Sequence, residues 1–192
     1  VSQVSMFGGK NITIKIVGDI YDDSYEASLV YSKKHKKTFI HPFDDEDVII
    51  GQGTMALEIL NQSLFPIDYL LVPIGGGGLI SGMINVFKQK SPKTRIIGIE
   101  PKGAPSMFES MKQNKRITLD RIDNFVDGAA VKTIGKISFD YCSKFLDDIV
   151  IVDEGEICQN ILTMYNNDAI IVEPAGAMSV TGLNKMSKSI KD

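Results

Sequence analysis

Four consecutive glycines, Gly75-Gly76-Gly77-Gly78, interrupt an otherwise apolar stretch that runs from Leu70 to Ile74 and resumes at Leu79. Glycine loses more backbone freedom on folding than any other residue, so a quartet is costly unless bare backbone is needed at that place. The pattern reads as a buried strand that breaks into the glycines and continues as a helix. Consecutive glycines reach positive φ and let main-chain N–H groups close around an anion, with the helix start adding its dipole. The same glycines could also serve to turn the chain and pack a helix close. Neither familiar nucleotide loop fits: no frame from Gly75 to Gly82 supplies G-x-G-x-x-G, and the Walker spacing Gly77 to Gly82 is followed by Met83, not lysine. A small phosphorylated cofactor is therefore the expected ligand.

Around this loop the pattern is that of an α/β chain. Apolar runs at Tyr69–Ile74, Arg95–Glu100 and Ile149–Val152 predict strands, and helices are predicted over Leu79–Lys90, Ser106–Gln113 and Ile134–Phe145. Strands that are nearly all apolar, alternating with helices, imply an open, mostly parallel sheet buried on both faces. Asp153, with Glu156 three residues on, predicts a helix cap, and Ile170–Val172 with the helix after Pro174 repeats the unit. Before them, 12–17 and 38–40 read as strands flanking a helix from Asp22 or Asp23 to His35. The acidic run Asp44–Asp47 reads as helix-capping charge, leading into Val48-Ile49-Ile50 and a helix from Thr54. Two lobes are expected, 1–43 and 44–192.

With 192 residues, 43% hydrophobic and 23% charged, the chain has the balance of a globular protein with one substantial core. Its net charge of −3 gives no basic field, which argues against nucleic acid or an anionic membrane surface as partner. Cys142 and Cys158 are too few for a disulfide framework, no apolar run is long enough to cross a bilayer, and no signal segment is evident. A cytoplasmic location is expected. The opening Val1–Phe7 reads like the tail of a helix entering Gly8-Gly9, so the chain is expected to begin within a domain. His35 and His41 have no adjacent nucleophile, and Asp147-Asp148 reads as a loop with solvated acids rather than a working carboxylate pair.

Several further motifs stand in order: His41-Pro42-Phe43-Asp44, Gly51-Gln52-Gly53-Thr54, Gly98-Ile99-Glu100-Pro101, Val126-Asp127-Gly128-Ala129-Ala130-Val131-Lys132 and Val172-Glu173-Pro174-Ala175-Gly176-Ala177. Together with the glycine loop, and over essentially the whole chain, they resemble the type II pyridoxal-phosphate enzymes. Within that fold they resemble the threonine dehydratase family, in order and spacing more its biosynthetic members than its catabolic or serine racemase relatives. The resemblance implies pyridoxal 5'-phosphate as cofactor, its phosphate on the N–H groups of Gly75, Gly76, Gly77, Gly78 and Leu79. It also implies that Gly128 and Glu173 lie near the cofactor ring or the substrate, although Glu173-Pro174 is equally a helix start after a strand. The implied reaction converts L-threonine to 2-oxobutanoate and ammonia in isoleucine biosynthesis, in a homo-oligomer, a tetramer by the same resemblance. The two expected lobes become a remnant of the small lobe (1–43) and part of the large cofactor-binding lobe (44–192).

In serine racemase relatives the stretch matching Glu100 to Ser106 holds a divalent cation. Here Ser106 stands where an acid is expected, and no metal site is predicted. The family's Schiff-base lysine, in a Ser-x-Lys-x-Arg-Gly-Ala setting, has no counterpart. Lys93-Thr94-Arg95 has the Lys-x-Arg spacing but runs into Ile96-Ile97 and reads as a surface turn. The Ser-Gly-Asn-His loop for the substrate carboxylate is missing too, since Ser81-Gly82 precedes Met83, as is the serine that bonds the pyridine nitrogen. No catalytic residue is expected in this chain, which alone should be inactive.

Overall fold

The strand Arg95–Pro101 (β2) is buried from Ile96 to its end, because it runs between two others and is covered on both faces. In the computed structural model, which describes residues 1–187, it pairs in parallel with Tyr69–Pro73 (β1) on one side and Asp148–Val152 (β3) on the other. Tyr69 lies opposite Arg95, and Ile97 opposite Asp148. Parallel neighbours need crossovers, supplied by helix Gly78–Lys90 (α4) between β1 and β2, and by Ser106–Lys112 (α5) and Lys136–Phe145 (α6) between β2 and β3. Alternate β2 side chains feed separate cores. Ile96 joins Val72, Ile84, Phe87 and Cys142 under α4 and α6. Ile97 and Ile99 join Ile157 and Met178 under Glu154–Asp168 (α7) and Pro174–Met186 (α8). The open parallel sheet flanked by helices is the fold class read from the sequence.

Helix α3, Glu46–Gln62, begins earlier than the expected Thr54. Asp45 is its N-cap, its carboxylate accepting from Asp47 N at 2.9 Å and Val48 N at 3.2 Å, so Val48-Ile49-Ile50 form the first turns. Gly53 is accommodated because α3 crosses α4 at backbone contact there. A Cβ on Gly82 would lie 2.6 Å from both Gly53 N and Ile49 O.

The residues up to Phe39 form a separate compact unit, and those from Ile40 a second. The first holds a short helix Ser2–Gly8 (α1), a 3₁₀ turn Gly9–Asn11 and the helix Tyr21–His35 (α2). The N-cap of α2 is Ile20 rather than the expected Asp22 or Asp23; Asp23, inside the first turn, reaches back to accept from Asp19 N and Ile20 N, and Lys33, Lys34 and His35 occupy the last turn. The expected strands at 12–17 and 38–40 do not form, nor does 170–172. β-branched residues favour extended backbone there, but a strand exists only through a ladder partner, and none is present among the described residues. The last part of the expected second lobe, 188–192, lies outside the described residues. No helix among the described residues is long and apolar enough to cross a membrane.

Candidate functional site

The sheet ladder ends where the glycines begin. Ile74 N still donates to Ile99 O at 2.8 Å, but the N–H groups of Gly75, Gly76, Gly77, Gly78 and Leu79 donate to no protein acceptor among the described residues. Gly77 is the N-cap of α4 at φ 94, and with no side chain it leaves the first-turn amides uncapped. The carbonyls, by contrast, are used: Gly76 O accepts from Gly135 N at 3.0 Å, and Gly77 O from Ser81 N at 3.1 Å and Ser81 Oγ at 2.7 Å. Gly76, Gly77 and Gly78 are buried.

Each glycine is required by a neighbour. A Cβ on Gly76 would fall within the Phe43 ring, one on Gly77 2.5 Å from Ser138 Cβ, and one on Gly78 2.9 Å from the Phe43 backbone. One on Gly75 would come 2.9 Å from Ala129 Cα and 3.1 Å from Gly128 O. Packing alone therefore explains why side chains are excluded, but it does not explain the amides. Buried N–H groups without acceptors are rare in native structures, and a row of them at the start of a 13-residue helix carries positive potential. Such a row suits a group with several anionic oxygens. The donor set fits a phosphate.

Gly128 and Glu173 come to the same place. Gly128 O touches the Gly75 position, and a Cβ on Gly128 would lie 3.4 Å from Glu173 Oε1. Glu173 is also the N-cap of α8, with Pro174 in its first turn, so it does start a helix; its carboxylate makes no cap bond and is exposed. Of the two alternatives read from Glu173-Pro174, the helix start is thus seen directly, and the Glu173 carboxylate lies beside Gly128.

The acids at 44–47 divide between two helices. Asp45 caps α3, whereas Asp44 Oδ2 and Oδ1 accept from Lys136 N and Ile137 N, each at 2.8 Å, and cap α6. This link across 92 residues has no local periodicity to announce it; the doubled acid after His41-Pro42-Phe43 is the only hint in the sequence. Ser138, on the same helix, has a buried hydroxyl without a hydrogen-bond partner, packed against Gly77. It was not anticipated.

Elsewhere, Glu100 is fully buried and its oxygens accept from Met107 N and Phe108 N, both at 2.7 Å. Burial pushes its carboxyl up to about 8, against the pull of these two bonds. Ala104 O accepts from Ser106 N. Lys93 is exposed in a turn, as its setting predicts. Asp147 corrects the picture of merely solvated acids, because it accepts from Lys88 Nζ at 2.9 Å and Ile96 N at 2.8 Å and so ties α4 to β2. Partial burial raises its carboxyl, but the Ile96 amide and Lys88 outweigh that and hold it below the usual range.

Comparison with known proteins agrees with this geometry. The family model described as pyridoxal-phosphate dependent enzyme matches residues 1–192. The biosynthetic L-threonine dehydratase of Halalkalibacterium halodurans is 53% identical over 191 residues, covering 100% of this chain and 46% of that protein. That of Bacillus subtilis is 48% identical, covering 100% and 45%. The chain thus spans about half the length of these relatives. Among solved structures, the processed form of threonine deaminase isoform 2 from Solanum lycopersicum superposes with a TM-score of 0.91 at 36% identity, covering 100% of this chain and 55% of that one. Serine racemase from Dictyostelium discoideum gives 0.82 at 26% identity, covering 97% and 59%. A strand that opens into a glycine loop, a parallel sheet continuing behind it and a family match along the full length lead to one conclusion: the chain belongs to the pyridoxal-phosphate dependent enzymes, with the type II fold of threonine deaminase.

Proposed function

We propose that the intact protein to which this chain belongs is a biosynthetic threonine dehydratase, which removes water from L-threonine and, as water adds back to hydrolyse the imine that results, releases ammonia to leave 2-oxobutanoate. The observation that carries the reading is the row of unpartnered amides from Gly75 to Leu79. They hold the cofactor phosphate, while Gly128 and the exposed carboxylate of Glu173 border the cofactor ring or the substrate. Bound pyridoxal phosphate supplies an electron sink for the pair left when the α-proton of the amino acid departs. This chain anchors and orients; the lysine that moves the proton is supplied by the remainder of the protein, so the 192 residues alone are inactive. The unit up to Phe39, with residues to 43, is the remnant of the small lobe, and the rest is part of the cofactor-binding lobe. The enzyme works as a homo-tetramer in the cytoplasm and needs no metal.

The test is an assay of the intact protein. It should be yellow with bound cofactor and should release 2-oxobutanoate from L-threonine faster than pyruvate from L-serine. A colourless protein with no activity on either amino acid would defeat the proposal. The likeness to serine racemase supports a second reading, and a product of D-serine rather than an oxo acid would favour it.

A further inference from the structure

We propose that Asp44 is a positioning residue for the glycine loop, acting through α6. The proposal rests on the phosphate reading of Gly75 to Leu79, and the observations behind it form a short chain of contacts. The N-cap of α6 is Gly135, which has no side chain to cap the helix; Asp44 supplies the cap instead, with one oxygen on Lys136 N and the other on Ile137 N. The approach is close enough that a Cβ on Gly135 would lie 2.6 Å from Asp44 Oδ1. Gly135 N in turn donates to Gly76 O, and Ser138, one turn on, packs against Gly77.

Asp44 is itself held. His41 Nδ1 accepts from Asp44 N at 3.0 Å and from Phe43 N at 3.3 Å, which folds 41–44 into a tight turn. That turn lays the Phe43 ring over Gly76 and its backbone against Gly78. Residues 41–44 and the start of α6 therefore grip the loop at the carbonyl of Gly76 and at the Cα atoms of Gly76, Gly77 and Gly78. A glycine quartet has too much conformational freedom to hold donors in register by itself. Removing the Asp44 carboxylate frees the α6 start, loosens the Gly135–Gly76 bond and lets the amides diverge from one anion-binding geometry.

The test compares Asp44→Ala and Asp44→Asn with wild type in the intact protein, at a temperature well below the melting point of each. Asp44→Ala should weaken pyridoxal-phosphate affinity by roughly tenfold, on the scale of one hydrogen bond to a charged group, and shift or broaden the ³¹P resonance of the bound phosphate. Asp44→Asn, which keeps one acceptor oxygen, should fall between. A purely structural cap would lower the melting temperature and leave affinity and ³¹P shift alone, which would overturn the proposal. Amide hydrogen exchange decides the matter even if the wild-type protein binds no pyridoxal phosphate, an outcome that would count against the function proposed above. Exchange at Gly135 and Ser81, whose N–H groups are held by Gly76 O and Gly77 O, should rise several-fold in Asp44→Ala while that over 95–101 stays fixed; unchanged exchange at both would sink the positioning role.

Discussion

Gly77 shows how one residue answers to two demands. It sits at φ 94, where a side chain is strained, and a Cβ there would meet Ser138 at 2.5 Å. Gly77→Ala should cost about 2 kcal/mol or more in the intact protein, read from denaturant unfolding, and should weaken cofactor binding in parallel. Glu100 carries a different signal. Its carboxyl is raised from 4.5 to about 8 by burial, so the folded state holds a proton that the unfolded state has already released. The folded pKa being the higher one, this contribution is complete below 4.5 and disappears as pH climbs through about 8. Melting temperature should accordingly decline across that window, and Glu100→Gln, which cannot titrate, should flatten the decline while lowering stability by leaving Phe108 N or Met107 N facing an amide NH₂.

At the scale of elements, the crossing of α3 and α4 depends on bare backbone. Gly82→Ala would push a methyl to 2.6 Å from Gly53 N and should destabilise by about 2–3 kcal/mol. Gly51→Ala, on the same α3 but with open space around it, should instead stabilise by up to about 1 kcal/mol. Thermal unfolding of the two variants checks the pair, and equal effects would contradict the close crossing. The elements that the sequence announced clearly are those with internal causes. β1, β2 and β3 are apolar runs fenced by turn residues, and α7 opens on Asp153 with Glu156 reaching back to the Asp153 N–H at 3.3 Å. Misreadings fell where the cause is external. Residues 12–17 and 170–172 have strand composition but no ladder partner among the described residues, and Gly51 and Gly53 concealed the first turns of α3, where Gly53 is explained by the close approach of α4 and Gly51 faces open space.

At the scale of the whole molecule, the same division separates what was legible in the site from what was not. The glycine quartet was visible because four costly residues in a row need an explanation, and Gly128 and Glu173 were visible only through resemblance to a family. Asp44 was legible as helix-capping charge but the helix it caps was not, and Ser138 was not visible, since each acts through a contact with a segment remote in sequence. That remoteness bears on how the protein is born. β1 and α4 are neighbours along the chain and can assemble early from local contacts, but the pin on Gly76 belongs to a helix that follows some sixty residues later, and its own anchor lies 92 residues from the amide it holds. Closing so wide a ring costs more chain entropy than joining β1 to α4, so in refolding of the intact protein the pin on Gly76 should be set after β1 and α4 have met. Competence for the ligand is then a late acquisition of folding, gained when α6 docks.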